Sequence, residues 1–326
     1  GLNGRIQTAF NGFPIESMVC IMGLLGYPPE KYYPHGRASF EAMAKGIPLK
    51  QGDLILRCNI INANNSGEIA DFTAGQISDS DAKRIISRMR LPFDNWELYP
   101  GQSYRNTLII RGANINLRTV RCAEPHMHIG KQTSDLLPSS SDPETNRLMS
   151  DIGRFLENSR EQIRDMKMPP ECSGNMLWVW SPSEKPEWPS FSELTGMKGA
   201  CVGGLDFLHG IAMAADMHFD IIPGATGYID TNYDAKARYA IEYLKHYDFV
   251  LVHVNATDEE AHMHNHEGKI KAIEATDQKI IGPLLLELHA NYPDFRLAVC
   301  GDHMTRCSDG KHIGEPVPFI LYDNSK

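Results

Sequence analysis

Between Met176 and Asp302 one pattern repeats: a short apolar run, then a segment with helical spacing. The apolar runs are MLWVW (Met176–Trp180), GACVGG (Gly199–Gly204), DIIPG (Asp220–Gly224), DFVLVHV (Asp248–Val254) and RLAVCGD (Arg296–Asp302). They are continuous rather than alternating, which suits strands covered on both faces. Helical spacing is read at Leu205–Met217, at Tyr233–His246, and from about Asp258 to Ala290. In the last segment Ile270, Ile273, Ile280, Ile281, Leu284, Leu285 and Leu288 form one stripe. Strand, helix, strand, repeated, predicts an α/β fold with a mostly parallel sheet flanked by helices.

Residues 48–133 read differently. LILRCNII, EIADFTAGQIS, SYRNTLIIRG and NINLRTVRC suggest shorter strands, with one helix at Ser80–Arg90. This predicts a smaller α+β domain at 48–133, inserted into a first domain made of 1–47 and 134–326. SSSDP (Ser139–Pro143) is the expected boundary loop and helix cap. A chain of 326 residues with 42% hydrophobic and 22% charged residues can bury a real core. A net charge of -9 argues against nucleic acid or anionic lipid as partner. It leaves room for an anionic substrate met by a few local cations. No apolar run approaches the roughly 20 residues of a membrane span. The seven cysteines are scattered without a Cys-x-x-Cys pair. That pattern predicts reduced, buried thiols in a cytoplasmic protein rather than a zinc–cysteine site. Trp178 and Trp180 are expected in the core.

Three stretches carry chemistry. The first is HVNATDEEAHMHNHEGK (His253–Lys269), directly after an apolar run. Asp258 and His262 are four apart and share a helix face. Ligands bind at this edge of open α/β sheets. Either Asp258 caps the helix and the histidines are solvated, or the pair holds a metal. The second is CGDHMTRCSDGKHIGEPVPF (Cys300–Phe319), where Asp302 and His303 again follow a strand and His312 comes ten positions after Asp302. Such donors suit Mn²⁺ or Zn²⁺. Two independent strand-end Asp/His sets favour the metal reading over two coincidental caps. The third is FNGFPIESMVCIMGLLGYPPEKYYPHGRASFEA (Phe10–Ala42), in which Ser17 opens an apolar helix, Met18–Gly26, ended by Gly-Tyr-Pro-Pro. Ser17 is either a plain cap or a nucleophile at a helix N-terminus, where free N–H groups favour phosphate.

Taken together with GRASFEAMAKGIPL, GDLILRCN, ADFTAGQIS, GNMLWVW, PGATGYIDTNYDAKA and KAIEATDQKIIGPLL in order, these stretches resemble the archaeal type of cofactor-independent phosphoglycerate mutases, within the alkaline phosphatase superfamily. The resemblance implies an alkaline-phosphatase-like sheet and two divalent cations, Mn²⁺ with Zn²⁺ as the alternative. It implies one ion on Asp258, His262 and His312, and the other on Asp302, His303 and the Ser17 hydroxyl. The implied reaction interconverts 3-phosphoglycerate and 2-phosphoglycerate through a phosphoserine, with the inserted domain closing over the site to exclude water. Substrate would meet Arg57, Lys236, Arg111 and His126; for the arginines the alternative is a surface residue or a structural ion pair. A homoserine-kinase-like phosphotransferase, a phosphomonoesterase and a catalytically silent binding protein of the same fold are the other functions the pattern admits. Oligomeric state is left open. The chain departs from the family pattern at Met18, where an acid is usual, at His126-Met127 in place of His-Asp, and at Trp180-Ser181 in place of Trp-Gly. The family's Asp-Gly strand precedes the first residue here, and the family runs on past PVPFILYDNSK. The first domain is therefore expected to be incomplete at both ends.

Overall fold

In the computed structural model, which describes residues 1–324, Gly199–Val202 is buried at every position. It is the middle strand of a three-stranded parallel sheet, between His218–Phe219 and Phe249–Val252. Burial on both faces is what its unbroken apolar run predicts. The expected strand at Asp220–Gly224 does not form. The strand there is His218–Phe219. Asp220 is held instead by the Tyr243 hydroxyl at 2.8 Å. Pro223 and Gly224, the latter at φ +77°, then turn the chain.

Arg296–Cys300 was expected in the same sheet. It pairs antiparallel with Val317–Asp323, which pairs antiparallel with Leu2–Ile6 on its other side. The loop between Arg296–Cys300 and Val317–Asp323 contains no helix, so it cannot make the crossover a parallel pair needs. Among the described residues the parallel part is therefore three strands, and the mostly parallel sheet becomes a mixed α/β arrangement. These elements belong to one compact unit, residues 1–33 with everything from Glu187 onward.

The run from Asp258 to Ala290 is broken into Ala256–His262, His266–Thr276 and Gly282–Asn291. His264 sits at φ +58° and Asn265 caps the second helix, accepting from the Gly268 N–H at 3.0 Å. A π turn, Asp277–Ile281, precedes Pro283, whose ring and missing N–H disrupt a straight ladder. Ile280, Leu284 and Leu288 are buried, whereas Ile270 and Ile273 are 56% and 54% exposed. The break and the π turn change the phase, so the expected stripe does not stay on one face.

Ser17–Leu24 is apolar on every side, and Met18, Val19, Cys20, Ile21 and Met22 are all buried. A helix without a polar face is stable only inside a core. It stops at Gly26, φ +90°, and Tyr27 then stacks on Trp188 at 4.4 Å between ring centres. The Tyr27 hydroxyl donates to the Pro189 carbonyl at 2.9 Å.

The second unit is Pro34–Pro186. Its spine is Leu54–Ala63, paired antiparallel with Arg105–Ile110, Ile69–Asp71 and Met176–Ser183; Trp96–Tyr99 extends the sheet. The MLWVW run is thus an antiparallel strand here, not a member of the parallel sheet. The expected limits at 47/48 and 133/134 move outward to 33/34 and 186/187. The spine explains why: it is buried almost continuously and needs cover on both faces. Ala38, Ala42 and Ile47 pack against Ile55 and Ile109 on one face. Met149, Ile152, Phe155 and Leu156 of the helix Pro143–Asp165 join Leu54, Leu56, Cys58 and Trp178 on the other. Asp142 caps that helix, accepting from the Thr145 N–H at 2.8 Å. The SSSDP cap is as expected, but it lies within the unit rather than at its border.

Candidate metal centre and nucleophile

Four segments of the first unit bring the expected donors together. Asp258 and His262 sit one turn apart on Ala256–His262, just after the strand Phe249–Val252. Asp302 and His303 follow Arg296–Cys300. His312 lies on a two-stranded ribbon, His312–Ile313 against Met304–Thr305, with Thr305 opposite His312. Ser17 is the first residue of its helix.

One ligand atom each from Asp258, His303 and His312 lie within 4.8 Å of one another. Asp258 carboxylate oxygens are 3.3 Å from His262 Nε2 and 3.4 Å from His312 Nε2. His262 Nε2 and His312 Nε2 are 3.0 Å apart. Ser17 Oγ is 3.1 Å from His303 Nε2. Asp302 adds a carboxylate whose Oδ2 is 3.7 Å from His303 Nε2 and is buried without a hydrogen-bond partner. A buried carboxylate oxygen left unpaired is costly unless a cation completes it. Imidazole nitrogens and carboxylate oxygens in this number fit a divalent ion. His303, expected on one ion, lies in the same cluster as Asp258 and His312, expected on the other, a closeness that two-metal sites with ions about 3.5–4 Å apart share.

Electrostatics follow from this packing. Burial would raise the Asp258 carboxyl, but hydrogen bonds from His312 and Thr305, with His262 and His303 nearby, hold it well below the usual carboxylate range. Burial pushes His303 down despite the neighbouring Asp302. For His312 burial is outweighed by Asp258 and by the Ile15 carbonyl, and it is pushed up. His312 Nδ1 donates to that carbonyl at 2.6 Å. Such an outer contact orients an imidazole and settles which nitrogen faces the site.

The expected substrate residues are placed less uniformly. Lys236 is almost wholly buried, and its ammonium donates to the carbonyls of Thr226 and His253 at 3.3 and 3.2 Å. Burial pulls it down to about 8. It braces backbone rather than presenting a cation outward. In the second unit Arg111 is bound by Asp53 at 2.7 Å and by Glu97, and also donates to the Pro48 carbonyl at 2.8 Å. There the ion-pair alternative holds. Arg57 lies over Trp180 at 4.2 Å, pairs with Glu41 at 3.0 Å, and keeps Nη1 buried without a hydrogen-bond partner. His126 packs edge-on against the same Trp180 at 5.3 Å, and Arg37 approaches it at 5.6 Å. Trp180 is a core residue, as expected, and also a platform for cations. The sequence reading missed Thr305 and the Ile15 carbonyl. A threonine in a strand reads as a β-former, and a backbone carbonyl leaves no trace in a sequence.

A serine hydroxyl beside a divalent-ion donor set on a mixed α/β scaffold is the equipment of metal-dependent phosphoryl chemistry. The family profile for 2,3-bisphosphoglycerate-independent phosphoglycerate mutase matches residues 1–168. The Methanosarcina acetivorans protein of that name is 38% identical over 328 residues, which take in 99% of this chain and 81% of that one. A probable member from Geobacter sulfurreducens is 31% identical, again over 99% of this chain and 81% of its own length. The chain belongs to the 2,3-bisphosphoglycerate-independent phosphoglycerate mutase family. Among solved structures, a Pyrococcus horikoshii protein superposes with a TM-score of 0.75 at 24% identity, over 99% of this chain and 77% of that one, a likeness of fold. The cofactor-independent phosphoglycerate mutase of Thermoplasma acidophilum gives a TM-score of 0.59 at 25% identity, over 99% of this chain and 79% of that one. The family resemblance of the sequence motifs is borne out.

Proposed function

We propose that this chain interconverts 3-phosphoglycerate and 2-phosphoglycerate through a phosphoserine on Ser17. The observation that carries the reading is the Ser17 hydroxyl, 3.1 Å from His303 Nε2 at the head of a buried helix. Asp258, His262, His312, Asp302, His303 and Ser17 would hold divalent cations, Mn²⁺ by the family resemblance. Divalent cations held there would lower the serine pKa and offset charge on the phosphoryl oxygens. Ser17 Oγ forms the bond to phosphorus as the bond to the glycerate C3 oxygen breaks, and the serine proton ends on that oxygen. The glycerate turns over. Its C2 oxygen then forms the bond to phosphorus as the Ser17 Oγ–P bond breaks, and the hydroxyl proton returns to Ser17 Oγ. The free N–H groups at the start of Ser17–Leu24 favour the phosphoryl group at that place. Within the second unit, Arg57 keeps a buried Nη1 without a hydrogen-bond partner, with His126 and Arg37 around the same Trp180.

The first unit is, in this reading, an alkaline-phosphatase-like domain and Pro34–Pro186 its insert. Its place is the cytoplasm, a reading that rests on seven free cysteines. Among the described residues no helix is long and apolar enough to cross a membrane.

Full-length protein given Mn²⁺ and 3-phosphoglycerate, followed by phosphorus NMR, should yield 2-phosphoglycerate. Inorganic phosphate instead would make it a phosphatase, and no change would point to another acceptor or a silent fold. Ser17→Ala should lower turnover by at least about 10³-fold; retained turnover removes the phosphoserine.

A further inference from the structure

We infer that Thr305 is the positioning residue of the metal centre, its single hydroxyl orienting Asp258 and setting the tautomer of His303. The inference rests on the reading above that Asp258, His303 and His312 hold a divalent cation. Thr305 is buried on the strand Met304–Thr305 and faces His312 across the ribbon. Its Oγ1 donates to Asp258 Oδ1 in a short hydrogen bond and lies 3.3 Å from His303 Nδ1. A hydroxyl carries one proton and two lone pairs. With the proton committed to Asp258, the second contact must run the other way, so His303 Nδ1–H donates to Thr305 Oγ1. An imidazole protonated at Nδ1 keeps its lone pair at Nε2. That nitrogen faces the Ser17 hydroxyl at 3.1 Å. Thr305 therefore leaves the nitrogen nearest the nucleophile free to ligate. Its own carbonyl accepts from Lys269 Nζ at 2.8 Å, which ties the strand to the helix His266–Thr276. One side chain thus couples donors from separate segments. Outer contacts of this kind are typically worth about 10- to 100-fold in metal affinity.

The test uses full-length protein and Mn²⁺ alone as the probe, with free Mn²⁺ read by electron paramagnetic resonance. Thr305→Val keeps the branched shape and removes the hydroxyl; Thr305→Ser keeps the hydroxyl. Thr305→Val should weaken Mn²⁺ binding about 10- to 100-fold, and Thr305→Ser should recover most of the loss. Nitrogen-15 NMR of the metal-free parent should show His303 protonated at Nδ1. An Nε2-protonated His303 in the parent overturns the inference without any variant. Thr305→Val with parental affinity overturns it too, even if its metal-free melting temperature falls. Asp258→Asn serves as the control. If it abolishes binding while Thr305→Val does not weaken it, only the role of Thr305 is lost. If Asp258→Asn binds Mn²⁺ like the parent, the metal reading fails and this inference falls with it.

Discussion

Lys236 shows how burial changes what a residue type means. Read in the sequence, a lysine after a Gly-rich loop is a cation for an anionic substrate. In the fold its ammonium is enclosed and bonded to two carbonyls. Its pKa of about 8 lies below the free-lysine value of 10.5. Between those values the folded state binds fewer protons than the unfolded state, so this group makes stability rise with pH across the window. Below pH 8 the full cost of a buried charge is present. Lys236→Met should therefore lose its relative advantage as pH rises. The stability difference from the parent should move by about 2–3 kcal/mol against the variant between pH 7 and pH 10. Urea unfolding at the two pH values measures it, and a constant difference would mean Lys236 is not desolvated. The metal donors behave otherwise. As candidates, Asp258, His262, Asp302 and His303 were readable because each is a charged or ligating type just past an apolar strand, and His312 because it follows Asp302 by ten positions in the same stretch. Thr305 and the Ile15 carbonyl were not readable, because their part comes from where their oxygens point.

At the scale of elements, the sequence signals for strands and helices were local and mostly right, while only part of the pairing followed. Gly199–Val202 and Phe249–Val252 pair parallel as expected; Met176–Ser183 and Arg296–Cys300 do not join them. MLWVW is a buried strand, but nothing within the run says which strand it joins. The helical character from Asp258 to Ala290 was readable, yet its breaks, which take Ile270 and Ile273 off the buried face, turn on contacts. Gly268 is the clearest case. A Cβ there would fall 1.9 Å from Glu260 Oε2, and Glu260 is itself buried and bonded to Asn265 Nδ2 at 2.6 Å. An ordinary helix interior gains about 1 kcal/mol from Gly→Ala. Here Gly268→Ala should instead destabilise the protein by about 1–3 kcal/mol, seen as a lower urea midpoint at unchanged slope. A stabilised variant would mean that Glu260 and Asn265 do not fix the break between the helices.

For the whole molecule, metal and stability are linked. A cation that binds only the folded chain stabilises it by mass action, about 2.7 kcal/mol at 100 times the dissociation constant. Mn²⁺ should therefore raise the melting temperature and EDTA should return it to the metal-free value. In Asp258→Asn the shift should shrink or vanish. An equal shift in that variant would place the stabilising ion elsewhere. The chain divides into compact units at 33/34 and 186/187, not at the composition shifts near 47/48 and 133/134. The sheet of Pro34–Pro186 recruits the helices Ala38–Ala44 and Pro143–Asp165 to cover both faces of Leu54–Ala63. That demand is a property of a packed sheet, not of a composition shift along the chain.

Sequence by itself determined the periods, the caps, the kinds of donor present and the family, because each is written in neighbouring residues or in motifs that keep their order. Tertiary structure decided the direction in which Arg296–Cys300 pairs, which cations stay turned inward, and how the hydroxyl of Thr305 comes to lie between Asp258 and His303. Those outcomes depend on contacts that local sequence does not specify, such as Thr305 to Asp258 or Arg296 to Asp323, and such contacts exist only once the chain has closed on itself.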